Sequence, residues 1–287
     1  MQLRSLEMFV ALAELGSFNG AAERLHTVQS NVSAHIKKLE NELAVQLLAR
    51  RNPAVLTPAG DQLLSYARQL LALHDRALDS FSPGGAVHGR LRLGSLETTA
   101  AVHLPRVLSA FSASHPAVQV TLTTAPSGDL LDALRGGQLD AALVGLDEVG
   151  TGLQSRPVFE EQLVLISGDP LPALPGPEQL GQLAFLSFRQ GCSYRQRIEQ
   201  WLAEAGVQAP HIHEFGSLDA IVGCVSAGMG VALVPATTAE HYRARSGLHS
   251  YPLPARLASV TTRLVMPPAA QCSRALLAFA NGDWFAR

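Results

Sequence analysis

Four segments in the C-terminal two thirds of the chain place hydroxyl side chains where helices are expected to begin. GSLETTAA (94–101) offers Ser95, Thr98 and Thr99 around Leu96, and APSGDLL (125–131) offers Ser127. GCSYRQR (191–197) offers Ser193 after Cys192, with Gln196 at capping-box distance, and FGSLDAI (215–221) offers Ser217. Hydroxyls and free backbone N–H groups at helix starts, together with the positive dipole end, are chemistry suited to an anion. Each also reads as an ordinary helix cap, because serine and threonine are the preferred N-cap residues of any helix. Arg195 is a candidate partner for a carboxylate, or equally part of a solvated face. Cys192 stands where a helix start could stabilise a thiolate. No GxSxG, HExxH, CxxC or Walker sequence occurs, and the Gly-x-Gly of AGMGVALVP (227–235) precedes a strand where a dinucleotide site requires it to follow one. His211 and His213 share a strand face but have no third ligand nearby. The expectation is therefore no catalytic residue, no metal and no cofactor.

A second set of residues suits a different partner. In GSFNGAAERLHTVQSNVSAHIKKLE (16–40) two short helices are joined by a tight turn. The first, about 18–26, carries Ala21, Ala22 and Leu25 at helical spacing, with Ser17 as cap. The second, from about Gln29, puts Val32, Ile36 and Leu39 on one face. Its other face holds Ser30, Ser33, Ala34 and Lys37, flanked by Asn31 and Lys38. Small and polar groups on a helix that packs firmly on its opposite side suit the major groove of DNA, and Gln29 sits at the start, where side chains reach base edges. On these residues alone a helical hairpin with a solvated face is the competing reading.

The flanking elements favour the groove. Upstream, LRSLEMFVALAELG sets Leu6, Phe9, Val10 and Ala13 on a covering helix; downstream, the chain turns through Arg50, Arg51, Asn52 and Pro53 as a wing would. Residues 1–57 hold six Lys/Arg and five Glu, a net of only +1, but both lysines of the chain, Lys37 and Lys38, lie on the proposed reading helix. Phosphate contacts act within a Debye length of about 8–10 Å, so placement outweighs the total. Thr57-Pro58 starts a helix expected to run to about Phe81. Leu63/Leu64, Ala67, Leu70/Leu71, His74, Ala77/Leu78 and Phe81 fall near a 3.5-residue repeat, a coiled-coil seam for pairing two protomers. Such a helix is ~36 Å long, more than a small winged domain can cover. SPGGAVHG (82–89) then breaks it at a hinge.

From Leu91 onward, short apolar strands (91–95, 118–125, 141–145, 163–167, 184–188, 231–235, 261–267) alternate with helical runs (98–114, 128–136, 194–206, 218–228, 273–285), implying α/β layers on a mainly parallel sheet. A length of 287 residues accommodates about two domains; 47% hydrophobic and 16% charged residues are those of an ordinary soluble protein. Arg4 and Glu7 interrupt any N-terminal apolar run, and three scattered cysteines, Cys192, Cys224 and Cys272, fit a reducing cytoplasm better than a disulfide framework. Cys224 and Cys272 lie in apolar helical runs that look like buried core.

FVALAELGSF, the AAERL helix, Gln29, Ser33, HIKKLE and LTPAG together make residues 1 to about 80 strongly resemble the N-terminal part of LysR-type transcriptional regulators, and the resemblance continues along the chain. Two positions depart from it: Ala34 where the family often carries Arg, and Ser30 where Pro is common. Both alter the reading face. The resemblance implies an N-terminal all-α winged helix-turn-helix (1–57), a coiled-coil dimerisation helix (58–81), a hinge (82–90) and an α/β effector domain (91–287) of periplasmic-binding-protein type. Its two subdomains would be 91–161 with 268–287, and 162–267, the chain crossing near Glu161 and near Met266 to Pro268. DNA contacts are expected from Gln29, Ser30, Asn31, Ser33, Lys37, Lys38, Arg50 and Arg51. Effector contacts are expected from Ser95, Leu96, Thr98, Thr99, Ser127, Cys192, Ser193 and Ser217, the first segments favoured because the family's effector site uses them. Some members sense oxidants with a cysteine pair. The implied function is a bacterial, cytoplasmic, sequence-specific DNA-binding regulator. Its partners would be double-stranded DNA, a small anionic effector or organic acid, and further copies in a homodimer or homotetramer, without a membrane. A solute-binding protein for uptake and an enzyme on the same scaffold are the alternatives.

Overall fold

A computed structural model describes residues 1–49, 53–81, 87–146, 148–208 and 211–285. The chain forms two compact units, Met1–Ala86 with Arg135–Gln138, and Val87–Leu134 with Leu139–Arg287.

The first unit contains α1 (Leu3–Leu15), α2 (Phe18–Arg24), α3 (Gln29–Leu43), β1 (Leu48–Ala49), β2 (Val55–Leu56) and α4 (Pro58–Ser80). Leu6, Phe9 and Leu12 of α1, Ala21 and Ala22 of α2, and Val32, Ile36 and Leu39 of α3 close one core with Leu47, Leu63 and Ala67. Ser17 caps α2 by accepting from the Gly20 N–H (3.2 Å). This helix ends at Arg24, two residues earlier than its apolar spacing suggests. His26 adopts a left-handed φ of 51°, which turns the chain toward α3. Glu40 Oε1 accepts from the Leu47 (2.8 Å) and Leu48 (3.4 Å) N–H groups, fixing the start of the wing. The antiparallel pairing Leu48↔Leu56 and Ala49↔Val55 means that this unit is not all-α. Thr57 caps α4 by accepting from the Gly60 N–H (3.1 Å). A Cβ at Gly60 would lie 2.2 Å from the Leu47 carbonyl oxygen, so the close approach of α4 to the wing requires glycine there.

The second unit runs β3 (Gly89–Ser95), α5 (Glu97–Val102), α6 (Leu104–Ser114), β4 (Val118–Thr124), α7 (Ser127–Arg135), β5 (Ala141–Val144) and β6 (Gln154–Ser167). It continues α8 (Pro177–Leu180), β7 (Ala184–Phe188), α9 (Ser193–Glu204), β8 (His211–Phe215), α10 (Leu218–Ser226), β9 (Val231–Pro235) and α11 (Ala236–Ser246). β10 (His249–Pro252), α12 (Ala255–Ala258), β11 (Ser259–Met266) and α13 (Arg274–Asn281) complete it. Strand order is β4-β3-β5-β11-β6-β9-β7-β8, with β10 also on β6.

The sheet is mixed where a mainly parallel one was expected. β3 is parallel to β4 and β5, and β7 to β8 and β9. β6 and β11 run antiparallel to all their neighbours. These two strands serve both halves of the unit. Gln154–Gln162 of β6 pair with β11, and Leu163–Ser167 pair with β9, so the first crossing falls at residues 162–163. The second lies inside β11, whose register shifts between Thr262 and Arg263, earlier than the expected 266–268. Val260 packs in the core of one half and Leu264 in that of the other.

Both faces of the sheet are covered, as strand alternation shows. Leu143 faces Leu93, Phe111 and Phe279, while Ala142 and Val144 face Leu130, Leu131 and Leu134. Leu163, Leu165 and Val231 face Ile198 and Trp201, while Ile166, Ala232 and Val234 face Ile221 and Val225. The run expected at 98–114 is two helices, split at His103. α11 and β10 were not foreseen, because ATTAEHYRARS and HSYP carry no apolar periodicity. Cys272 is buried but follows a 3-10 turn (Ala269–Gln271), outside any α-helix, and Cys224 is half-buried.

Candidate functional sites

On α3 the packed side consists of Val32, Ile36 and Leu39, and Gln29, Ser30, Ala34, Lys37 and Lys38 are exposed. Ser33 is half-buried beside Gln29, whose Nε2 donates to its Oγ at 3.5 Å. Neither lysine has an ion-pair partner among the described residues. Two free ammonium groups on one solvent-facing helix, beside small side chains, form a surface that tolerates close approach of a phosphate backbone. Asn31 differs from expectation: its amide donates to Thr27 Oγ1 (2.9 Å), pinning the turn before the helix. Arg50 and Arg51 lie outside the described residues, between β1 and β2.

On α4 the expected seam divides. Leu63 and Ala67 are buried in the unit's own core, with Leu64 and Leu71 packed against it. Tyr66, Leu70, Leu73, Ala77 and Phe81 remain exposed at a spacing of four, three, four and four, Phe81 being 87% exposed. The apolar stripe left for a partner is thus rotated from the one the repeat suggested.

In the second unit a cavity of ≈ 280 Å³ opens between its two halves. Leu96, Thr98, Thr124, Ala125 and Pro126 line it from one half, and Phe188, Cys192, Tyr194 and Phe215 from the other, with Glu97 and Arg189 also in the wall. Three contacts bridge the halves here. Thr98 Oγ1 and the Tyr194 hydroxyl share a hydrogen bond (2.9 Å), Glu97 Oε1 accepts from the Leu218 N–H (2.7 Å), and Arg189 pairs with Asp129. Burial pushes the Tyr194 hydroxyl far above the ordinary tyrosine range, against the lowering effect of its bond to Thr98, so it stays protonated and can donate.

Of the residues expected at an effector, Leu96, Thr98 and Cys192 line this cavity. Ser193 lines a second one. Ser95, Thr99, Ser127 and Ser217 line neither. Ser95 donates to the Leu96 carbonyl (2.9 Å), Ser127 Oγ accepts from the Gly145 N–H (3.1 Å), and Ser217 caps α10 through the Ala220 N–H (3.2 Å). These hydroxyls are spent on the fold itself. Thr99 Oγ1 is buried without a partner. Arg195 is held by Glu199 (2.9 Å) and Glu214 (2.8 Å), which removes it as a ligand. Cys192 is buried, and desolvation raises its thiol pKa despite the opposing Arg195 and Tyr194 N–H groups and the Arg195 charge. Its position before α9 therefore does not yield the stabilised thiolate that the spacing suggested.

The aromatic walls were missed. Phe188 and Phe215 are the last residues of β7 and β8, each ahead of a serine-bearing helix start. An aromatic ring at the carboxyl end of a strand was the available signal.

Two family models match the chain. One described as the LysR substrate binding domain matches residues 84–281, and one described as a bacterial regulatory helix-turn-helix protein of the lysR family matches residues 3–61. The chain belongs to the LysR family. It is a DNA-binding transcriptional regulator with a substrate-binding domain. Among LysR-type relatives, a Bacillus subtilis (strain 168) protein described as the uncharacterized HTH-type transcriptional regulator YusT is 38% identical over 97% of this chain and 94% of its own length. The regulator YofA of Bacillus velezensis is 40% identical over 88% of each chain. Among solved LysR-type structures, a full-length OxyR from Pseudomonas aeruginosa is similar with a TM-score of 0.79 at 26% identity, covering 99% of this chain and 94% of that one. Full-length CbnR complexed with its target DNA is similar with a TM-score of 0.68 at 25% identity, covering 98% of both chains.

Proposed function

We propose that this LysR-family regulator senses a small organic acid in the cavity between the two halves of its effector unit. The observation that carries the reading is the lining: apolar walls from Leu96, Ala125, Pro126, Phe188 and Phe215 surround the hydroxyls of Thr98, Thr124 and Tyr194, with Glu97 and the Asp129-paired Arg189 also in the wall. A mostly apolar cavity with a few convergent polar groups is the usual form of a small-molecule site. Because its walls come from both halves, occupancy favours one arrangement of them over another, and that differential affinity is the signal. Gln29, Ser30, Ser33, Lys37 and Lys38 contact the operator, with Arg50 and Arg51 reaching the flanking phosphates; CbnR, which the chain resembles along its whole length, is solved with its target DNA. Two or four copies assemble through the exposed stripe of α4. The protein works in the cytoplasm by binding rather than by catalysis, in keeping with relatives named as regulators. Among the described residues no helix is long and apolar enough to cross a membrane.

A thermal-shift screen of small organic acids on the full-length protein, followed by calorimetry, tests the site. The acid that raises the melting temperature should bind about tenfold more weakly to Thr98→Val, which loses one hydrogen bond to a charged group. Phe188→Leu should also weaken it, and both variants should keep basal operator binding. Undiminished affinity in both, or a preference for cations, refutes this reading.

A further inference from the structure

A second cavity of ≈ 370 Å³ shares no lining residue with the first. Its walls are polar: Ser193, Gln196 and Arg197 from the first turns of α9, Arg256 from α12, and Ser259 and Thr261 from β11. The loop after β5 closes it through Gly145 and Leu146, which belong to the other half of the unit. Two observations bear on what fits there.

The first is the charge. Arg256 is neutralised by Glu204, to which its Nε donates at 2.9 Å. Among the described residues Arg197 is not neutralised. Its Nη1 donates to the Arg256 carbonyl (2.9 Å) and its Nη2 to the Ser259 carbonyl (3.3 Å), and it has no carboxylate partner among the described residues. A guanidinium carries five N–H donors, so three remain for another group. The second is Ser193. It is 7% exposed, and its Oγ has no hydrogen-bond partner among the described residues. A Cβ added at Gly145 would come within 2.9 Å of that oxygen, which places the hydroxyl against a glycine that is itself part of the cavity wall. A buried hydroxyl without a partner at the start of a 12-residue helix, beside a guanidinium without a counter-charge, is an unfilled donor set.

We propose that this chamber binds an oxyanion, a phosphate or carboxylate group carried by a small metabolite, as a ligand separate from the effector of the first cavity. Arg197 supplies the charge, and Ser193, Gln196 and Thr261 supply hydrogen bonds. Gly145 leaves room in the wall, since any side chain there would meet Ser193 Oγ and, at 3.2 Å, Leu96 Cδ1. Because Gly145 and Leu146 come from one half and the arginines from the other, an anion held here ties the halves together at the strand that crosses between them. The chamber thereby sets how readily the neighbouring cavity responds, whatever molecule enters it.

The test is calorimetric titration of the full-length protein with inorganic phosphate and, separately, acetate, each at constant ionic strength maintained with chloride. Saturable binding of one ion per protomer is expected, and the better ion identifies the group. Arg197→Gln and Ser193→Ala should each weaken it about tenfold or more, while Thr98→Val in the first cavity leaves it unchanged. Thermal melts without ligand establish that the variants are folded. Ser193→Ala, which removes a single unpartnered oxygen, carries the test if Arg197→Gln is not. Absence of saturable binding for both ions overturns the proposal. So does binding that survives Ser193→Ala undiminished in a folded protein, or that is weakened by Thr98→Val and by neither chamber variant, since the ion would then occupy the effector cavity.

Discussion

Single side chains divide here into those that hold the protein together and those left over. On α3, Gln29 and Ser33 belong to the second group: neither contributes to the core, and the bond between them is long. Gln29→Ala or Ser33→Ala should therefore leave the melting temperature unchanged and lower specific operator affinity by about 1–3 kcal/mol each, measured by titration against the natural site and a scrambled duplex. Equal affinity for both variants and the parent would move the reading face elsewhere. The packed side of α3 was legible in the sequence because Val32, Ile36 and Leu39 recur at helical spacing. The effector contacts were less legible. A serine at a helix start has the same local pattern whether its hydroxyl caps the helix, as in Ser217, or has no partner, as in Ser193. Only the fold decides which donors are spent. The same applies to Cys192, whose neighbours in sequence suggested activation and whose burial imposes the reverse.

Among the elements, α4 makes the sharpest distinction. Leu63 and Ala67 point into the core of the first unit, and Leu70 and Leu73 do not, being 38% and 53% exposed. Leu70→Lys with Leu73→Lys should yield a folded monomer with much weaker operator binding, seen as a halved mass in sedimentation. Lysine at Leu63 should instead unfold the unit, since it would bury a charge without a partner. A double variant that stays dimeric places the interface on another surface. The helix itself was evident from Thr57-Pro58 and its apolar repeat, but the repeat could not say which of two adjacent stripes the domain would consume. Most strands of the second unit were legible for a related reason: VALVP and AFLSF are buried on both faces, so they read as continuous apolar runs. α11 escaped notice because the residues through which it packs, Thr238, Ala239 and Tyr242, form no apolar repeat, and its remaining length is polar. Strand direction escaped too, since alternation of strands and helices carries no record of where a strand re-enters the sheet beside a neighbour running the other way.

Across the effector unit, polar contacts join the halves on more than one side. Beside the three around the cavity, His103 Nε2 and Glu161 Oε1 share a hydrogen bond (2.9 Å), and Thr237 donates to the same oxygen. Glu161 sits at the first crossing, α5 and α6 meet at His103, and Thr237 opens α11, so this buried carboxylate joins elements of both halves. An effector bound in the cavity as proposed would have to accommodate that clasp, and the expected change is then the few ångströms over which hydrogen bonds can be exchanged.

The two shared strands have a consequence for how the unit comes apart. β6 lends its first nine residues to one half and its last five to the other, and β11 returns by the same route. Neither half owns a complete sheet, so neither can lose its structure while the other persists. The effector unit is expected to behave as one foldon although it has two cores on each side of the crossing. Native-state hydrogen exchange measures this directly: at low denaturant, the slowest amides of β3 and β5 and those of β7 and β9 should share one opening free energy. Two well-separated values would mean that the crossing strands can be severed. For a sensor, indivisibility is useful. A ligand that stabilises any part of such a unit protects all of it from proteolysis, so the protein's lifetime in the cell, as well as its grip on DNA, would follow the concentration of what it binds.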